Sequence, residues 1–285
     1  LTRMACALLT FAKKGMSDVE LEDLMSMCDG VLDEVFQYAT PTVRRLPSHV
    51  WLRLKAAMGG LIAEGEHGCF QWYHRQVRET AERVFAPEKM AAQSLMARYF
   101  GNLVDPSLRG DRKITEQGWT RRGHPFENTS VVNARRVCEA SHHMIESGLL
   151  EEAENELCAF EGICSKIRSG EGFQLIRDLA AVIDQLQSQG TSRQVVEDHF
   201  RWLRLDVHRL SRDCLRSFTF SASEQPKISC VREKAYSLLQ HCQLDVGLFP
   251  RGRTFGLTTD IFGHLKAKLE GHSDWVMSVA FSPDG

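Results

Sequence analysis

Leu46-Pro-Ser-His-Val-Trp-Leu-Arg-Leu-Lys55 opens the most informative stretch of the chain, which continues to Phe85. Ser48 is a residue type that caps helix N-termini, so we expect a helix to begin here. The apolar positions that follow recur at i, i+3 and i+7, a spacing that puts them on one buried face. These positions are Trp51, Leu54 and Met58. The pair Gly59-Gly60 predicts the end of this helix.

Two short strands are predicted directly after this helix, at residues 61–64 and 69–73. Gly68 lies in the tight connection between them, where it can adopt a positive φ. His74 shares one strand face with two aromatic side chains, because successive side chains of a strand alternate between faces. A further amphipathic helix is predicted from about His74 to Phe85.

Helices are also predicted on both sides of this stretch. Residues 1–14 carry apolar side chains at helical spacing. Ser17 and Glu20 form a capping box, which starts a second helix. A helix from Lys89 to Phe100 closes the segment. This order of helices, hairpin and closing helix is typical of a winged-helix domain, which we assign, with its trailing helix, to residues 1–100.

The remainder of the chain divides into a loop and a second helical region. Residues 101–130 break every periodic pattern with Pro, Gly and basic residues, and are predicted to be a loop or linker. Residues 131–245 return to helical spacing, and their successive helix pairs are typical of a bundle or TPR-like repeat. A loop is predicted at Phe218–Pro226. The predicted helices cover residues 132–147, 151–169, 173–187, 191–216 and 229–243.

A different pattern ends the chain. Gly271 and His272 precede an alternating strand at residues 276–281, and Ser-Pro-Asp284-Gly closes that strand with a turn. This combination resembles the start of a WD repeat, the four-stranded blade of a β-propeller. The resemblance gives Gly271, His272 and Asp284 structural roles in the repeat. It also makes residues 246–285 a linker followed by the first strand of a propeller.

The predicted fold class is therefore mainly α. It comprises a winged-helix domain with a short β-hairpin, a helical bundle or repeat region, and one incipient WD-repeat strand. The chain begins at Leu1 in a helical pattern, and its last strand is followed only by a turn. We therefore expect it to be part of a longer polypeptide.

Composition limits the classes of partner and location. The 285 residues are 43% hydrophobic and 25% charged, with a net charge of -2, values that predict neither a nucleic-acid partner nor an acidic membrane surface. No apolar run approaches the ~20 residues that span a bilayer. The nine cysteines are scattered and never spaced Cys-x-x-Cys. They predict free thiols in a reducing compartment and hence a cytoplasmic location.

The sequence contains no recognisable catalytic motif. It has no Gly-x-x-x-x-Gly-Lys-Ser/Thr loop to hold phosphates, no Gly-x-Ser-x-Gly and no His-Glu-x-x-His. No enzymatic activity and no cofactor are therefore predicted for this chain. The adjacent pair His142-His143 does not predict a metal site, because neighbouring residues point about 100° apart on a helix. We expect these histidines to serve in helix packing.

Several segments resemble the NACHT-and-WD-repeat proteins, which belong to the STAND class of NTPases. The matching segments are Gly15–Leu24, Leu46–Leu54 and Trp72–Gln76, and Arg135-Arg136 with His142-His143 is similar to the family's first hairpin after the winged helix. The family's order is nucleotide-binding domain, winged helix, helical repeats and propeller. The resemblance therefore implies a nucleotide-binding domain elsewhere in the parent protein, with ATP or ADP as a possible ligand of that domain.

The same resemblance implies a role for His74. In many STAND proteins a winged-helix histidine just after the hairpin contacts the phosphates of bound ADP and holds the closed state. His74 occupies the similar position, and a histidine entering a helix N-terminus can donate a hydrogen bond to an anion. The alternative is that His74 only covers the hairpin face beside Trp72.

The resemblance implies a non-catalytic regulatory and scaffolding segment that couples a nucleotide-binding domain to a WD-repeat sensor. Its expected partners are proteins, including its own nucleotide-binding domain and propeller, with no membrane partner. One alternative is a helical-repeat and WD-repeat interaction scaffold without a nucleotide switch. A winged helix that binds DNA is disfavoured, because the predicted wing carries Glu64 and Glu66 where a phosphate would approach.

Overall fold

The computed structural model describes residues 1–38, 45–65, 68–101, 103, 133–212, 214–241, 246–248 and 254–256. The described chain is mostly helical, with two small antiparallel sheets of two strands each. Its contacts divide it into two compact units, Leu1–Thr191 (unit 1) and Ser192–Gly285 (unit 2). No helix in the described ranges combines the length and the apolar character needed to cross a membrane.

Unit 1 contains ten α-helices and one hairpin within its described residues. The helices are α1 (Thr2–Phe11), α2 (Asp18–Met27), α3 (Asp29–Val35), α4 (Ser48–Met58), α5 (Arg75–Val84), α6 (Lys89–Gly101), α7 (Ala134–Glu146), α8 (Leu150–Cys158), α9 (Phe160–Arg168) and α10 (Gly172–Ser188). The strands are β1 (Ile62–Glu64) and β2 (Phe70–Trp72).

Two predicted helix starts have different outcomes. The capping box of α2 is confirmed: the Ser17 amide donates to Glu20 at 2.8 Å, and the Glu20 amide donates to the Ser17 hydroxyl at 3.3 Å. The predicted cap at Ser48 is wrong, because Ser48 is already the first helical residue after Pro47. Its hydroxyl instead donates to the Glu22 carboxylate at 3.1 Å, which ties α4 to α2.

The predicted hairpin is confirmed. Strands β1 and β2 pair antiparallel with Ile62 opposite Trp72, and Gly68 in the connection has a φ of 70°. A third segment joins this pair, because the amides of Met16 and Phe70 donate to each other's carbonyl groups at 3.0 and 2.7 Å. The corner between α1 and α2 is therefore fixed to β2.

The core of unit 1 lies between α1, α2, α4, α6 and α7. Trp51 is fully buried, as its place in the α4 pattern predicts, and its indole N–H donates to Asp18 at 2.7 Å. The other largest fully buried side chains of this unit are Leu8, Met16, Leu21, Leu24, Met25, Leu46, Met96 and Met144.

The most extensive helix contact of unit 1 joins α6 to α7, which lie on either side of residues 104–132. Small residues allow the two helices to approach closely: Ala92 and Ala97 are fully buried, and a Cβ added to Gly101 would lie 2.4 Å from the Met144 methyl group. Unit 1 consequently includes helices from both sides of the predicted linker. The predicted domain limits, 1–100, 101–130, 131–245 and 246–285, stay predictions.

The single helix predicted at residues 151–169 is wrong, because the structure divides it into α8 and α9. Ala159 adopts an extended conformation between them, with φ of -71° and ψ of 127°. A Cβ added to Gly162 would lie 2.6 Å from the carbonyl oxygen of Glu156. The turn is therefore tight enough to need glycine, and helical periodicity alone does not reveal such a turn.

Unit 2 contains α11 (Gln194–Arg212), α12 (Cys214–Ser223) and α13 (Cys230–His241), with β3 (Val246–Leu248) paired antiparallel to β4 (Thr254–Gly256). The loop predicted at residues 218–226 is wrong over its first part, which belongs to α12. Phe218 is buried edge-on against Trp202, with 5.2 Å between ring centroids, and the Trp202 indole donates to Ser221 at 2.6 Å. This tertiary packing overrides the weak local helix preference of a segment rich in Ser and Phe. The strand predicted at residues 276–281 lies outside the described residues.

Gly15 and Gly148 provide a matched test of the corner between α1 and α2. Both have a positive φ, 77° and 75°, but only Gly15 is crowded, since its added Cβ would lie 2.5 Å from the Phe70 carbonyl oxygen. We expect Gly148→Ala to lower the free energy of unfolding by about 1 kcal/mol, the cost of left-handed geometry. Gly15→Ala should cost clearly more, because β2 must also move.

Urea unfolding of both variants and the unsubstituted chain measures this difference. Equal decreases in the free energy of unfolding for the two variants would show that the space between Gly15 and β2 does not limit the side chain at this corner.

Candidate functional site

His74 lies where the sequence places it, at the junction of β2 and α5. It is exposed, and its backbone is extended, with φ of -110° and ψ of 142°, in the N-cap position of α5. No side-chain cap is present, and the first turn of α5 contains no acidic residue. Free backbone N–H groups beside an exposed imidazole are a suitable arrangement for an anion.

The neighbouring ring restricts the orientation of His74. Tyr73 lies edge-on to it, with 4.3 Å between ring centroids and 67° between ring planes. The Tyr73 amide donates to the Leu61 carbonyl at 2.9 Å, so the hairpin positions this pair of rings. His74 therefore stands at the end of the hairpin, exposed to solvent and in contact with the Tyr73 ring.

An apolar groove of about 530 Å³ runs beside this position between α1, the hairpin and α5. Its floor includes Trp72, whose indole N–H donates to the Thr10 hydroxyl at 3.0 Å. Its wall is the predicted apolar face of α5, formed by Val77, Ala81 and Val84. Val84 is 48% exposed, so part of this face remains uncovered in the described chain.

Charges around the hairpin are largely paired. Arg75 and Arg78 each form an i,i+4 ion pair on α5, with Glu79 at 2.6 Å and Glu82 at 3.0 Å. Lys55, which a DNA-binding helix would present, binds Asp18 at 2.8 Å and lies 3.6 Å from the centre of the Phe70 ring. This pairing offsets part of the positive charge that α4 and α5 offer to a phosphate backbone, although Arg53 of α4 is exposed.

A buried charged cluster, which the sequence analysis missed, lies where α1, α2, α6 and α7 meet. Arg135 is its centre: the guanidinium donates to Glu20 at 2.7 Å, to the Gly15 carbonyl at 2.9 Å and to Glu139 at 3.1 Å. Glu139 also accepts from the amides of Lys13 and Lys14, at 3.1 and 3.0 Å. This cluster ties the corner between α1 and α2 to α7.

Glu139 is ionised in this cluster although it is completely buried. Burial alone would raise its pKa, but the hydrogen bond from His143 and the charge of Arg135 lower the pKa to about 2. Its acceptor capacity is used by two backbone amides, one guanidinium and one imidazole, which together replace the lost hydration.

The adjacent histidines of α7 have different surroundings. His143 is fully buried and bonds Glu139 at 2.9 Å, which agrees with the predicted packing role. Burial, together with the charges of His143 and Lys13, lowers the pKa of His142 to about 4. Among the described residues, no group of three His, Cys, Asp or Glu side chains could hold a metal ion.

A second buried group connects α7 to α9 and α10. Lys166 donates to the Val137 carbonyl at 2.7 Å and to the Ser141 hydroxyl at 2.9 Å, with Asp178 at 3.5 Å. Burial lowers the pKa of Lys166, while Asp178 opposes that change. Every donor of this ammonium faces a protein oxygen, so the group serves packing and leaves no open position for a substrate.

In unit 2, Cys230, His199 and Asp198 lie close together. Such a group could be a cysteine nucleophile with a histidine base. The Cys230 sulfur lies 3.9 Å from Nδ1 of His199, but that nitrogen donates to the Val195 carbonyl at 2.7 Å. Burial and the neighbouring Asp198 raise the pKa of Cys230 to about 11. The thiol therefore keeps its proton at neutral pH and is not an activated nucleophile.

Of the site residues predicted from the sequence, the structure describes only His74. His74 is on the surface, while Gly271, His272 and Asp284 lie outside the described residues. The missed cluster had one local signal, the i,i+4 spacing of Arg135, Glu139 and His143 on a single helix face. Gln93 also belongs to the cluster, because its side-chain oxygen lies 2.5 Å from Nδ1 of His143. The partners Glu20 and Gln93 are distant in sequence from α7, so the single chain gave no sign of their contact.

The depressed pKa of His142 leads to a test by pH. Between pH 6.5 and pH 4 the unfolded histidine binds a proton that the folded one does not, so stability rises with pH in this window. The contribution is complete above 6.5 and is lost as pH falls towards 4. We expect His142→Gln to flatten the dependence by as much as about 1.4 kcal/mol per pH unit.

Chemical unfolding of both proteins at pH 7, 6, 5 and 4 measures the two slopes. Parallel curves would mean that His142 is protonated in the folded chain as easily as in the unfolded one.

Comparison with family models gives no match, and no solved structure matches the chain significantly. Curated proteins do match. The chain is 26% identical over 301 residues to NACHT domain- and WD repeat-containing protein 1 of Homo sapiens. This alignment covers 95% of this chain and 18% of that protein. It is 29% identical over 168 residues to the Mus musculus protein of the same name, covering 51% of this chain and 10% of that protein.

A second relative has a related name. NACHT and WD repeat domain-containing protein 2 of Mus musculus is 22% identical over 231 residues, covering 66% of this chain and 13% of that protein. The chain thus spans less than a fifth of the length of each of these proteins. Over almost its whole length, it is related to the NACHT and WD repeat-containing proteins.

Proposed function

We propose that this chain is a non-catalytic regulatory and scaffolding segment of a STAND-type signalling protein. In this proposal it couples a nucleotide-binding domain to a WD-repeat sensor, both supplied by other parts of the parent protein. The observation that carries the proposal is the relationship to NACHT and WD repeat-containing proteins across 95% of the chain. The names of those relatives pair the two modules that such a segment would connect.

The order of elements in unit 1 supports a winged-helix assignment. Helices α2, α3 and α4 are followed by the β1–β2 hairpin and then by α5. The hairpin also carries a third short segment at Met16, as a small winged-helix sheet would. We therefore assign the winged-helix role to this part of unit 1, and the role of a helical connector to α6–α10.

The position of His74 supports contact with a nucleotide phosphate. The ring is exposed at the N-cap of α5, where no side chain occupies the capping position and no carboxylate lies in the first turn. A phosphate there would meet both an imidazole donor and the positive end of the helix dipole. His74 would thus report the nucleotide state to the hairpin.

A mechanical role follows from the buried cluster. Arg135 and Glu139 fasten α7 to the corner between α1 and α2, and that corner is hydrogen-bonded to β2. A displacement of the hairpin by a nucleotide-binding domain would therefore move α7 with it. Rigid transmission of this kind needs no chemistry within the chain.

The remaining parts of the proposal concern partners and location. Partners would be proteins, foremost the parent's own nucleotide-binding domain and propeller, and the exposed apolar face of α5 beside His74 suits such a contact. The cysteines whose side chains the structure describes are free thiols, which supports a cytoplasmic location. We propose no enzymatic activity and no cofactor for this chain itself, with ATP or ADP bound by the parent.

Nucleotide retention by the parent protein tests the role of His74. We expect His74→Ala to weaken ADP binding about tenfold, because a hydrogen bond to a charged group contributes about 1.5–3 kcal/mol. His49→Ala is the matched control, since His49 is also exposed and also lies in the first turn of a helix in unit 1. It should leave ADP binding unchanged.

Equilibrium dialysis with labelled ADP gives both affinities. Equal binding by the two variants and the unsubstituted protein would remove His74 from the phosphate site. A parent that binds no ADP at all would instead favour the scaffold without a nucleotide switch.

A further inference from the structure

Helix α11 of unit 2 presents a line of positive charge to solvent. Arg201, Arg204, His208 and Arg212 are all exposed, and they recur at i, i+3, i+7 and i+11. This spacing places them along one face of the helix. From Arg201 to the end of α11, no Asp or Glu side chain is exposed. The exposed surface of α11 is therefore positive over about 16 Å of its length.

The partners of these arginines leave one charge without a structural role. Arg201 binds the buried Asp198 at 3.1 Å. Neither Arg204 nor Arg212 forms an ion pair with any residue that the structure describes. The helix dipole stabilises Arg212, which lies in the last turn of α11, but Arg204 lies about two turns earlier. The fold of unit 2 thus gains neither an ion pair nor a dipole interaction from Arg204.

An exposed apolar side chain lies within the same line. Leu205 follows Arg204 directly and is 73% exposed. The core of unit 2 does not use it, because the apolar side chains of the inner face of α11, such as Trp202, Val207 and Leu210, are buried without it. Covering Leu205 would remove apolar surface from water, which favours a contact at this position.

A second exposed apolar side chain, Ile228, lies in the connection between α12 and α13. It is 94% exposed. The connection is fixed, because the Ser229 amide donates to the Pro226 carbonyl at 2.9 Å and the Cys230 amide donates to Asp198 of α11 at 2.9 Å. Ile228 is thus presented to solvent by a hydrogen-bonded turn beside α11.

The two apolar side chains lie about two helical turns apart along α11. The turn that carries Ile228 is attached at Asp198 through the Cys230 amide, and Leu205 comes seven residues after Asp198. Seven residues correspond to about 10 Å of helix. A second helix with apolar side chains at i and i+7 has the same separation, and the flanks of such a helix can carry carboxylates.

We infer that this surface of unit 2 is a docking site for an acidic helix of another protein. The surface comprises Arg201, Arg204, Leu205, Arg212 and Ile228. Two apolar side chains of the partner helix, seven residues apart, contact Leu205 and Ile228, and carboxylates beside them pair with Arg204 and Arg212. Charge complementarity of this kind selects and orients the partner, while the apolar contacts stabilise the complex.

Phosphate-bearing partners fit this surface less well. A nucleic-acid backbone would use the arginines but would leave Leu205 and Ile228 without a contact, and Arg201 is already paired with Asp198. An interfacial helix binds a bilayer through a continuous apolar face, and the apolar face of α11 is buried within unit 2. A protein helix uses both the charged and the apolar side chains.

The docking site is independent of the coupling role proposed above. It lies within unit 2 and involves neither His74 nor ADP. A chain that fails to bind an acidic helix would therefore leave the proposed coupling role unaffected.

Fluorescence anisotropy with designed peptides tests the docking site in the full chain. The probe is a fluorescein-labelled helical peptide of Glu and Ala with two leucines seven residues apart. We expect the chain to bind it about tenfold more tightly than the same peptide with Lys in place of Glu, or with Ala in place of the leucines. Equal binding of the three peptides, or no binding of the first, would overturn the inference.

Two substitutions test the surface residues separately. Leu205→Ala should weaken binding of the probe about tenfold, because a buried apolar contact is lost. Arg204→Gln should weaken it about threefold and reduce its dependence on salt, since an ion pair at the edge of a contact contributes little. Leu52→Ala and Arg53→Gln are the matched controls, because Leu52 and Arg53 are also adjacent and exposed, on α4 of unit 1. Control variants that weaken binding as much would contradict the assignment to α11.

Other occupants of the surface give distinct results. Duplex DNA or phosphatidylserine vesicles that bind more tightly than the acidic peptide would assign the arginines to phosphate groups and overturn the inference. In sedimentation velocity, self-association of the chain that Leu205→Ala abolishes would make a second copy the occupant, which would equally overturn it. A monomeric chain that prefers the acidic peptide to both phosphate surfaces supports the partner helix.

Discussion

The structure of unit 1 depends on one buried carboxylate. Glu139 accepts hydrogen bonds from the Lys13 and Lys14 amides, from Arg135 and from His143. An ionised group at 0% exposure is tolerable only when it is fully hydrogen-bonded and its charge is balanced. Those requirements hold the corner between α1 and α2 against helix α7, because the corner donates two backbone amides to Glu139 and α7 supplies Arg135 and His143.

The consequence for function is a direct connection between the hairpin and the helices that follow it in sequence. The Met16–Phe70 hydrogen bonds join β2 to the corner, and the Arg135 guanidinium joins the corner to α7. His74 stands at the far end of β2, exposed at the start of α5. A contact made at His74 is thus connected to α7 through β2 and the corner between α1 and α2. This connection is the physical basis of the proposed coupling.

Most of the helices, the hairpin and the capping box at Ser17 were predictable because each is encoded by local periodicity or by residues three apart. The tight turn at Gly162 and the helix through Phe218 were not, since a close backbone approach and burial against Trp202 decide them. The position of His74 was predictable from its place after the hairpin. The charged cluster was not, because Glu20 and Gln93 come from distant segments and the chain alone carries no sign that they meet Arg135 and His143.

The most direct test of this account is a double-mutant cycle between Glu20 and Arg135, which lie on opposite sides of residues 104–132. Urea unfolding of Glu20→Gln, Arg135→Met and the double variant gives their coupling energy. The account predicts a coupling of about 1–3 kcal/mol, as expected for partners in a buried network. Additive losses within about 0.3 kcal/mol would contradict it, because the two segments would then be stabilised independently.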